Sequence, residues 1–254
     1  MSHHIIEARD LRYTYPDGTL GIDGVSFRIT HGESVAIVGA NGAGKSTLLL
    51  HLCGCILPAQ GTLSIGGTLL SKGTVASARR AVGIIFQNSD DQLFMPTVFE
   101  DVAFGMRNMG MGETEIEDKV SEALDTVGIG HLARRPPYKL SQGEKRLACI
   151  ATVLAVLPDI LVMDEPSSSL DPRARANLIE LLKTFRHTKI IATHDLDLAY
   201  DLCERTIVMH RGKITAEGST GDIFNNTSLL RESGLEKPLR MQQCHHHLPN
   251  RVIT

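Results

Sequence analysis

Polar and apolar positions along this chain follow two rhythms, and the points where one replaces the other outline a fold. Residues 4–30 alternate in strand fashion through Ile5, Leu11, Tyr13 and Tyr15. After a turn at Pro16-Asp17-Gly18 the alternation resumes at Ile22, Val25 and Phe27, which predicts an N-terminal β layer. Four later runs, Ser34–Val38, Val82–Phe86, Ile160–Met163 and Lys189–Thr193, are almost wholly apolar, as expected of core strands. Gly61–Gly67 reads as a hairpin strand, and Thr206–Met209 with Lys213–Thr215 as a hairpin around Arg211-Gly212.

Between the second and third core runs the period changes to that of a helix. Thr97-Val98-Phe99-Glu100 has the spacing of a capping box and opens a helix to about Asn108. Ile116, Val120, Ala123, Leu124 and Val127 line one face of an amphipathic helix that ends at Gly128. Arg134-Arg135-Pro136-Pro137 is a linker, and Leu140-Ser141-Gln142-Gly143-Glu144 leads into a long apolar helix. A further helix is predicted over Ala174–Phe185, and a short amphipathic segment begins near Ile223. Strands and helices joined by short loops predict a mainly parallel sheet with right-handed crossovers, interrupted by a helical insertion.

The candidate chemistry gathers at the ends of the core runs. Gly39-Ala40-Asn41-Gly42-Ala43-Gly44-Lys45-Ser46-Thr47 follows one apolar run and opens into a helical one. In that context the pattern G-x-x-x-x-G-K-[ST] is a phosphate-binding loop. Its glycines turn backbone N–H groups around an anion, Lys45 reaches the outer phosphates and Ser46 offers a hydroxyl to Mg²⁺. Asp164 and Glu165 end another core run, where two carboxylates need compensation; a Mg²⁺ on the phosphate loop of a neighbouring strand supplies it. Asp164 then supports the metal and Glu165 orients an attacking water. The competing account is a capped helix start, since Ser167 to Asp171 precedes the helix at Ala174–Phe185. Gln87 lies where ligands collect in open α/β sheets, which favours a site role over that of a loop glutamine. His194, at a similar strand end, is either structural or a neutral imidazole donating to a phosphate. Tyr15 is an edge-strand packing residue or a ligand contact. Ser141 and Glu144 form a capping box, or free N–H groups at Ser141 and Gly143 make a second anion site. These pairs of accounts stay open on the residues alone.

Composition narrows the classes. With 254 residues and 42% hydrophobic positions, the chain is long enough for one large α/β domain. The net charge of −3, with both signs interspersed, gives no electrostatic case for nucleic acid. Five cysteines without a C-x-x-C spacing suggest reduced, mostly buried thiols in a cytosolic setting. No signal peptide is visible, and the longest apolar run, Leu147–Leu157, is too short to cross a bilayer, so a membrane role is expected to be peripheral. Cys244-His245-His246-His247 and His3-His4 raise the idea of metal handling; the reading preferred is a disordered polar tail.

Taken together and in order, the motifs resemble the nucleotide-binding domain of ABC (ATP-binding cassette) transporters. Gly39–Thr47 matches Walker A, Phe86-Gln87 the Q-loop, Leu140–Glu144 the signature and Ile160–Glu165 Walker B. Ser169-Leu170-Asp171 matches the D-loop and Thr193-His194-Asp195 the switch histidine. The resemblance implies a P-loop NTPase fold with a mainly parallel core sheet, an N-terminal antiparallel β subdomain and an inserted α-helical subdomain. It implies an ATPase domain over residues 5–240, with the β layer and RecA-like core in 5–87 and 156–222, a helical subdomain at about 88–155, and a polar tail at 241–254. ATP and Mg²⁺ are the implied cofactors. Tyr15 would stack on adenine, the loop residues Gly39, Asn41, Gly42, Ala43, Gly44, Lys45, Ser46 and Thr47 would hold the phosphates, and Ser46, Gln87 and Asp164 would serve the metal. Glu165 would be the general base, with His194, Gln87 and Lys45 completing the catalytic set, while Ser141 and Gly143 would close the site from a second subunit. The signature departs from the usual L-S-G-G-Q at Gln142 and Glu144: position 142 tolerates a side chain if it points outward, and Glu144 brings a negative charge near an anion site unless the capping box directs it at the helix backbone.

The stretches Phe86–Phe94 and Thr97–Gly105 look like those of energy-coupling-factor importers, which take up vitamins or transition metals. The cobalt or nickel type is the subgroup expected here. It implies a homodimer with integral membrane partners, held at the cytoplasmic face of the membrane. The rival expectations are other ABC importers and a soluble ABC switch protein, whose usual paired cassettes, coiled coils or zinc modules this sequence lacks.

Overall fold

In the computed structural model, which describes residues 4–242, the chain begins with β1 (His4–Thr14), β2 (Leu20–Thr30), β3 (Ser34–Val38) and helix α1 (Lys45–Leu52). Then come β4 (Gln60–Ile65), β5 (Thr68–Leu69), α2 (Val75–Ala81) and β6 (Val82–Ile85). Helices α3 (Val98–Asn108), α4 (Glu113–Thr126) and α5 (Gln142–Leu154) follow, and then β7 (Ile160–Asp164), α6 (Pro172–Thr184) and β8 (Thr188–Ala192). The chain continues with α7 (Leu196–Leu202), β9 (Arg205–His210), β10 (Lys213–Ser219), α8 (Thr220–Asn225) and α9 (Thr227–Glu232). His3 and the Cys244–His247 run lie outside the described residues.

The strands form two sheets. The N-terminal one is antiparallel, in the order β2-β1-β4-β5, and the other has the order β10-β9-β3-β8-β7-β6. Five strands of the second are mutually parallel and β10 pairs antiparallel at its edge, so the expectation of a mainly parallel core sheet is met. The apolar runs explain this. Every residue of β3, β7 and β8 is buried, because helices or a second sheet cover both faces.

Alternate residues of those strands feed two separate cores. Val35, Ile37, Val162 and Ile190 join the N-terminal sheet and one face of α1, through Leu48, Leu49 and Leu52. Ala36, Val38, Leu161, Met163 and Ile191 face the other way, onto a core that takes in α3 to α9. Helix α1 is therefore clamped between two sheets, which fixes the loop that precedes it. The carboxyl ends of β3, β6, β7 and β8 all open onto one side, the usual crevice of such sheets.

Several sequence expectations are refined. The strand carrying Asp164 is not next to the strand that leads into the glycine loop, because β8 lies between them. Thr97 caps α3 by accepting from the Glu100 N–H at 3.3 Å, but Glu100 returns to the Thr97 hydroxyl, so only half of the expected box forms. The helix expected at Ala174–Phe185 starts earlier, at Pro172, with Asp171 as its cap. The cap thus falls within Ser167 to Asp171, the stretch expected ahead of the helix. Helix α2 lies in a stretch with no clear apolar period.

Gly83 in β6 has no room for a side chain: an added Cβ would strike Val153 of α5 and lie 2.7 Å from the Pro158 ring. This close approach seats α5 on the sheet. Gly83→Ala is expected to cost about 1–3 kcal/mol of stability by overpacking. Chemical denaturation would show it as a lower midpoint at unchanged slope.

Candidate active site

The glycine loop is shaped by backbone packing. Gly44 has φ +101°, and a Cβ there would sit 2.5 Å from the Gly21 carbonyl; a Cβ on Gly39 would collide with the Met209 carbonyl. These contacts hold the loop against the start of β2 and the end of β9. Helix α1 has Gly44 as its N-cap and no side-chain cap, so its first N–H groups keep their capacity for an anion. Lys45 is mostly buried, and its Nζ donates to the Gly39 carbonyl at 2.8 Å and the Ala40 carbonyl at 3.3 Å. Burial lowers the pKa of Lys45, while the carboxylates of Glu165 and then Asp164 pull it back up. The Tyr15 hydroxyl meets Thr47 Oγ1 at 3.0 Å, which fastens the β1–β2 turn to α1.

Facing the loop, Glu165 is buried and fully engaged. One of its oxygens accepts from Thr193 Oγ1 at 2.9 Å; the other accepts from the His194 N–H at 3.0 Å and from Nδ1 of its ring at 2.7 Å. This follows from strand register, since Asp164 pairs with Ala192, one residue before Glu165 and Thr193 respectively. Glu165 has φ +49°, a conformation L residues seldom adopt, which turns its carboxylate back toward β8. Asp164 is left with less. Burial raises its pKa, the Ser46 hydroxyl acts against that, Glu165 adds to it, and Lys45 and Arg146 lower it again.

One cavity of about 470 Å³ collects Tyr15, the loop from Asn41 to Thr47, Gln87, Asp164, Glu165 and His194. Gly39 is not among the residues that line it. A buried carboxylate beside a serine hydroxyl, with a glutamine amide on the same wall, is an oxygen donor set of the kind Mg²⁺ takes alongside substrate phosphates. The residues present therefore fit Mg²⁺. Among the described residues no cluster of three or more His, Cys, Asp or Glu is arranged to hold another metal.

The ABC transporter family profile matches residues 22–168. A Geobacter sulfurreducens protein named for an ABC transporter ATP-binding role is 58% identical over 244 residues, 96% of this chain and 98% of its own length. The energy-coupling factor transporter ATP-binding protein EcfA of Methanothermobacter thermautotrophicus is 44% identical over 92% of this chain and 77% of its own. Among solved structures, cbiO1 of Clostridium perfringens, part of the transporter complex cbiONQ, aligns with a TM-score of 0.78 and 36% identity, covering 90% of this chain and 94% of that one. The dimeric ATP-binding cassette MJ0796, bound to ADP and Pi, aligns with a TM-score of 0.79 and 26% identity over 85% of this chain and 98% of its own. The chain belongs to the ABC transporter family.

Within that family frame the signature stretch stands apart. Ser141 and Gly143, at the start of α5, do not line the cavity that holds the glycine loop; Gln142 does border a neighbouring depression, beside Gln87 and Ser168. Gln142 is exposed, as expected. The capping box is complete: Glu144 N–H donates to Ser141 Oγ at 3.3 Å, and Ser141 N–H donates to a Glu144 oxygen at 2.7 Å. The Ser141 N–H is thus not free, which corrects the second-anion-site expectation at that one group. What the signature offers is the Ser141 hydroxyl and the backbone at Gly143, where an added Cβ would meet nothing closer than 3.6 Å. The His194 ring contacts Glu165 through Nδ1, which leaves Nε2 as the ring nitrogen not engaged with that carboxylate.

Arg146, which holds the loops around this cavity, is a residue not singled out from the sequence; a cation at a core-facing position of an otherwise apolar helix is the signal for it. Thr193 is marked in the sequence only as part of the Thr193-His194-Asp195 motif, and its bond to Glu165 is visible only in the structure.

Asp164 is a buried charge with incomplete compensation, so Asp164→Asn is expected to raise the melting temperature by about 2–4 °C without metal or nucleotide. Thermal melting checks this; an unchanged or lower midpoint would mean that its burial costs nothing.

Proposed function

We propose that this ABC transporter family chain is the ATP-hydrolysing subunit of an energy-coupling-factor importer and that it powers uptake of a transition-metal ion, cobalt or nickel. The observation that carries the hydrolytic reading is the Glu165 carboxylate, aimed by Thr193 and His194 at the wall of the cavity that contains the phosphate loop. Similarity to cbiO1 of the cbiONQ complex, together with the Phe86–Phe94 and Thr97–Gly105 stretches, supports the metal-ion cargo. A vitamin is the second reading, favoured by relatives named EcfA.

Each residue then has a role. The half-buried Tyr15 ring, braced edge-on by Tyr13 at 5.1 Å and by Thr47, offers a face to adenine. The amides of the loop and of the first turn of α1 hold the phosphates. Lys45 exchanges its carbonyl partners for phosphate oxygens, which suits a desolvated ammonium. Ser46, Gln87 and Asp164 would hold Mg²⁺, which would supply charge neutralisation at the phosphate oxygens. Glu165 takes a proton from the attacking water, and its three donors keep its oxygens in place while it does so. His194, with its side chain 68% exposed, extends from this network toward the outer phosphate.

Ser141 and Gly143 lie outside their own chain's cavity, which supports a head-to-tail homodimer in which they complete the partner's site. The solved dimeric cassettes provide the precedent. Residues 88–155, with α3 to α5, act as the helical subdomain that moves with the signature. Phe94 and Phe104 stack edge-to-face at 4.9 Å and are 64% and 40% exposed. The Phe94 and Met95 amides are anchored on Asp101, and this exposed apolar pair suits an integral membrane partner. No helix of the described residues is long and apolar enough to cross a membrane, so association at the cytoplasmic face runs through such partners.

Glu165→Gln is expected to keep ATP affinity, lower turnover by about 10²–10⁴-fold, and accumulate an ATP-bound dimer on size-exclusion chromatography. Normal turnover in that variant would sink the hydrolytic reading. Pull-down from membranes, followed by uptake assays with labelled cobalt, nickel and vitamins, tests the cargo. Co-purification with no integral membrane component would overturn the importer assignment.

A further inference from the structure

Arg146 is the largest side chain among those wholly buried in the described residues, with 1% exposure. A buried guanidinium ordinarily faces a carboxylate. Here no ion pair forms among the described residues, and the guanidinium fork is spread over two loops instead. It donates to the Phe86 carbonyl, to the Gln87 carbonyl at 2.8 Å, to the Glu165 carbonyl at 2.9 Å and to Ser168 Oγ at 2.6 Å. Burial works against its charge, while Cys149, Asp164 and Glu165 favour it.

The loops it joins are the ones that need holding. Glu165 and Ser169 both have positive φ, at +49° and +66°, so the turn between them is bounded by two backbone conformations that L residues resist. Arg146 holds this turn at Glu165 and again at Ser168. It also holds residues 86–87, just after β6. All these bonds originate in the second turn of α5, immediately behind Ser141 and Gly143. A short, stiff segment of helix therefore lies between the signature and the backbone of Glu165.

We propose that Arg146 is a positioning residue for hydrolysis: it locks Gln87, Glu165 and Ser168 to the start of α5, so that docking of the signature on a partner's nucleotide sets the carboxylate of its own subunit. This deepens the proposed function and rests on the reading of Glu165 as base and of Ser141–Gly143 as acting in trans. It makes the two sites of a dimer interdependent by a rigid connection within each chain. Only an arginine serves, because bonds diverging to two loops require a planar fork that a lysine ammonium lacks.

The test is Arg146→Lys, assayed for ATPase activity with Mg²⁺ beside wild type and Glu165→Gln. Turnover is expected to fall about 10²-fold while KM for ATP stays within about 3-fold, the pattern of a misplaced reacting group rather than lost binding. The melting temperature is expected to stay near that of wild type. Turnover within about twofold of wild type would overturn the inference. So would a parallel collapse of KM, turnover and melting temperature, since that is what a purely structural arginine gives. If Arg146→Lys does not fold, Ser168→Ala carries the test, because it keeps the guanidinium on its carbonyl partners and frees the turn; the same split is expected, and unchanged turnover refutes the proposal. The underlying reading fails separately, if Glu165→Gln hydrolyses ATP as fast as wild type.

Discussion

Two adjacent carboxylates buried at the end of a core strand are the constraint around which this site is arranged. Asp164 and Glu165 leave β7 side by side, and the apolar strand behind them offers no relief. The structure treats them unequally. Glu165 turns back, through a strained backbone, onto three hydrogen-bond donors supplied by the end of β8. Asp164 keeps only a serine hydroxyl and the more distant charges of Lys45 and Arg146. In the function proposed above, the three donors fix the orientation of the Glu165 carboxylate, and the donor-poor Asp164 is the one left for a cation to compensate. Environment, rather than residue type, separates the two roles.

Strand order makes this inequality possible. Because β8 separates β3 from β7, the residues that follow it, Thr193 and His194, reach Glu165 beside the glycine loop. With β7 directly beside β3, those donors would stand on the far side of the acid pair. The outer strand β6 brings Gln87 to the opposite flank, and α5 crosses behind it. The packing of α5 on Gly83 therefore helps to position Gln87 and, through Arg146, the backbone of Glu165.

The same helix accounts for the altered signature. A glutamate at position 144 would put a negative charge near an anion site if its carboxylate were loose. The capping box turns it onto the Ser141 N–H, where it satisfies the start of the helix and leaves the serine hydroxyl outward. Departures from the usual motif at Gln142 and Glu144 are absorbed by local geometry, one by exposure and the other by the cap.

The apolar runs determined which segments become core strands, since a strand covered on both faces has to be apolar at nearly every position. Local spacing likewise determined the glycine loop, the acid pair, the caps on Ser141 and Thr97 and the amphipathic helices, because each depends on residues within a turn or two of one another. The order of the strands, the contact of the His194 ring with Glu165, the occupied Ser141 N–H and the bonds of Arg146 were decided by packing or by geometry. Arg146 meets Gln87 across 59 positions and Glu165 across 19. No local period marks such pairs, because the free energy that selects them, burial of charge against backbone dipoles, exists only once the sheets and helices have closed around it.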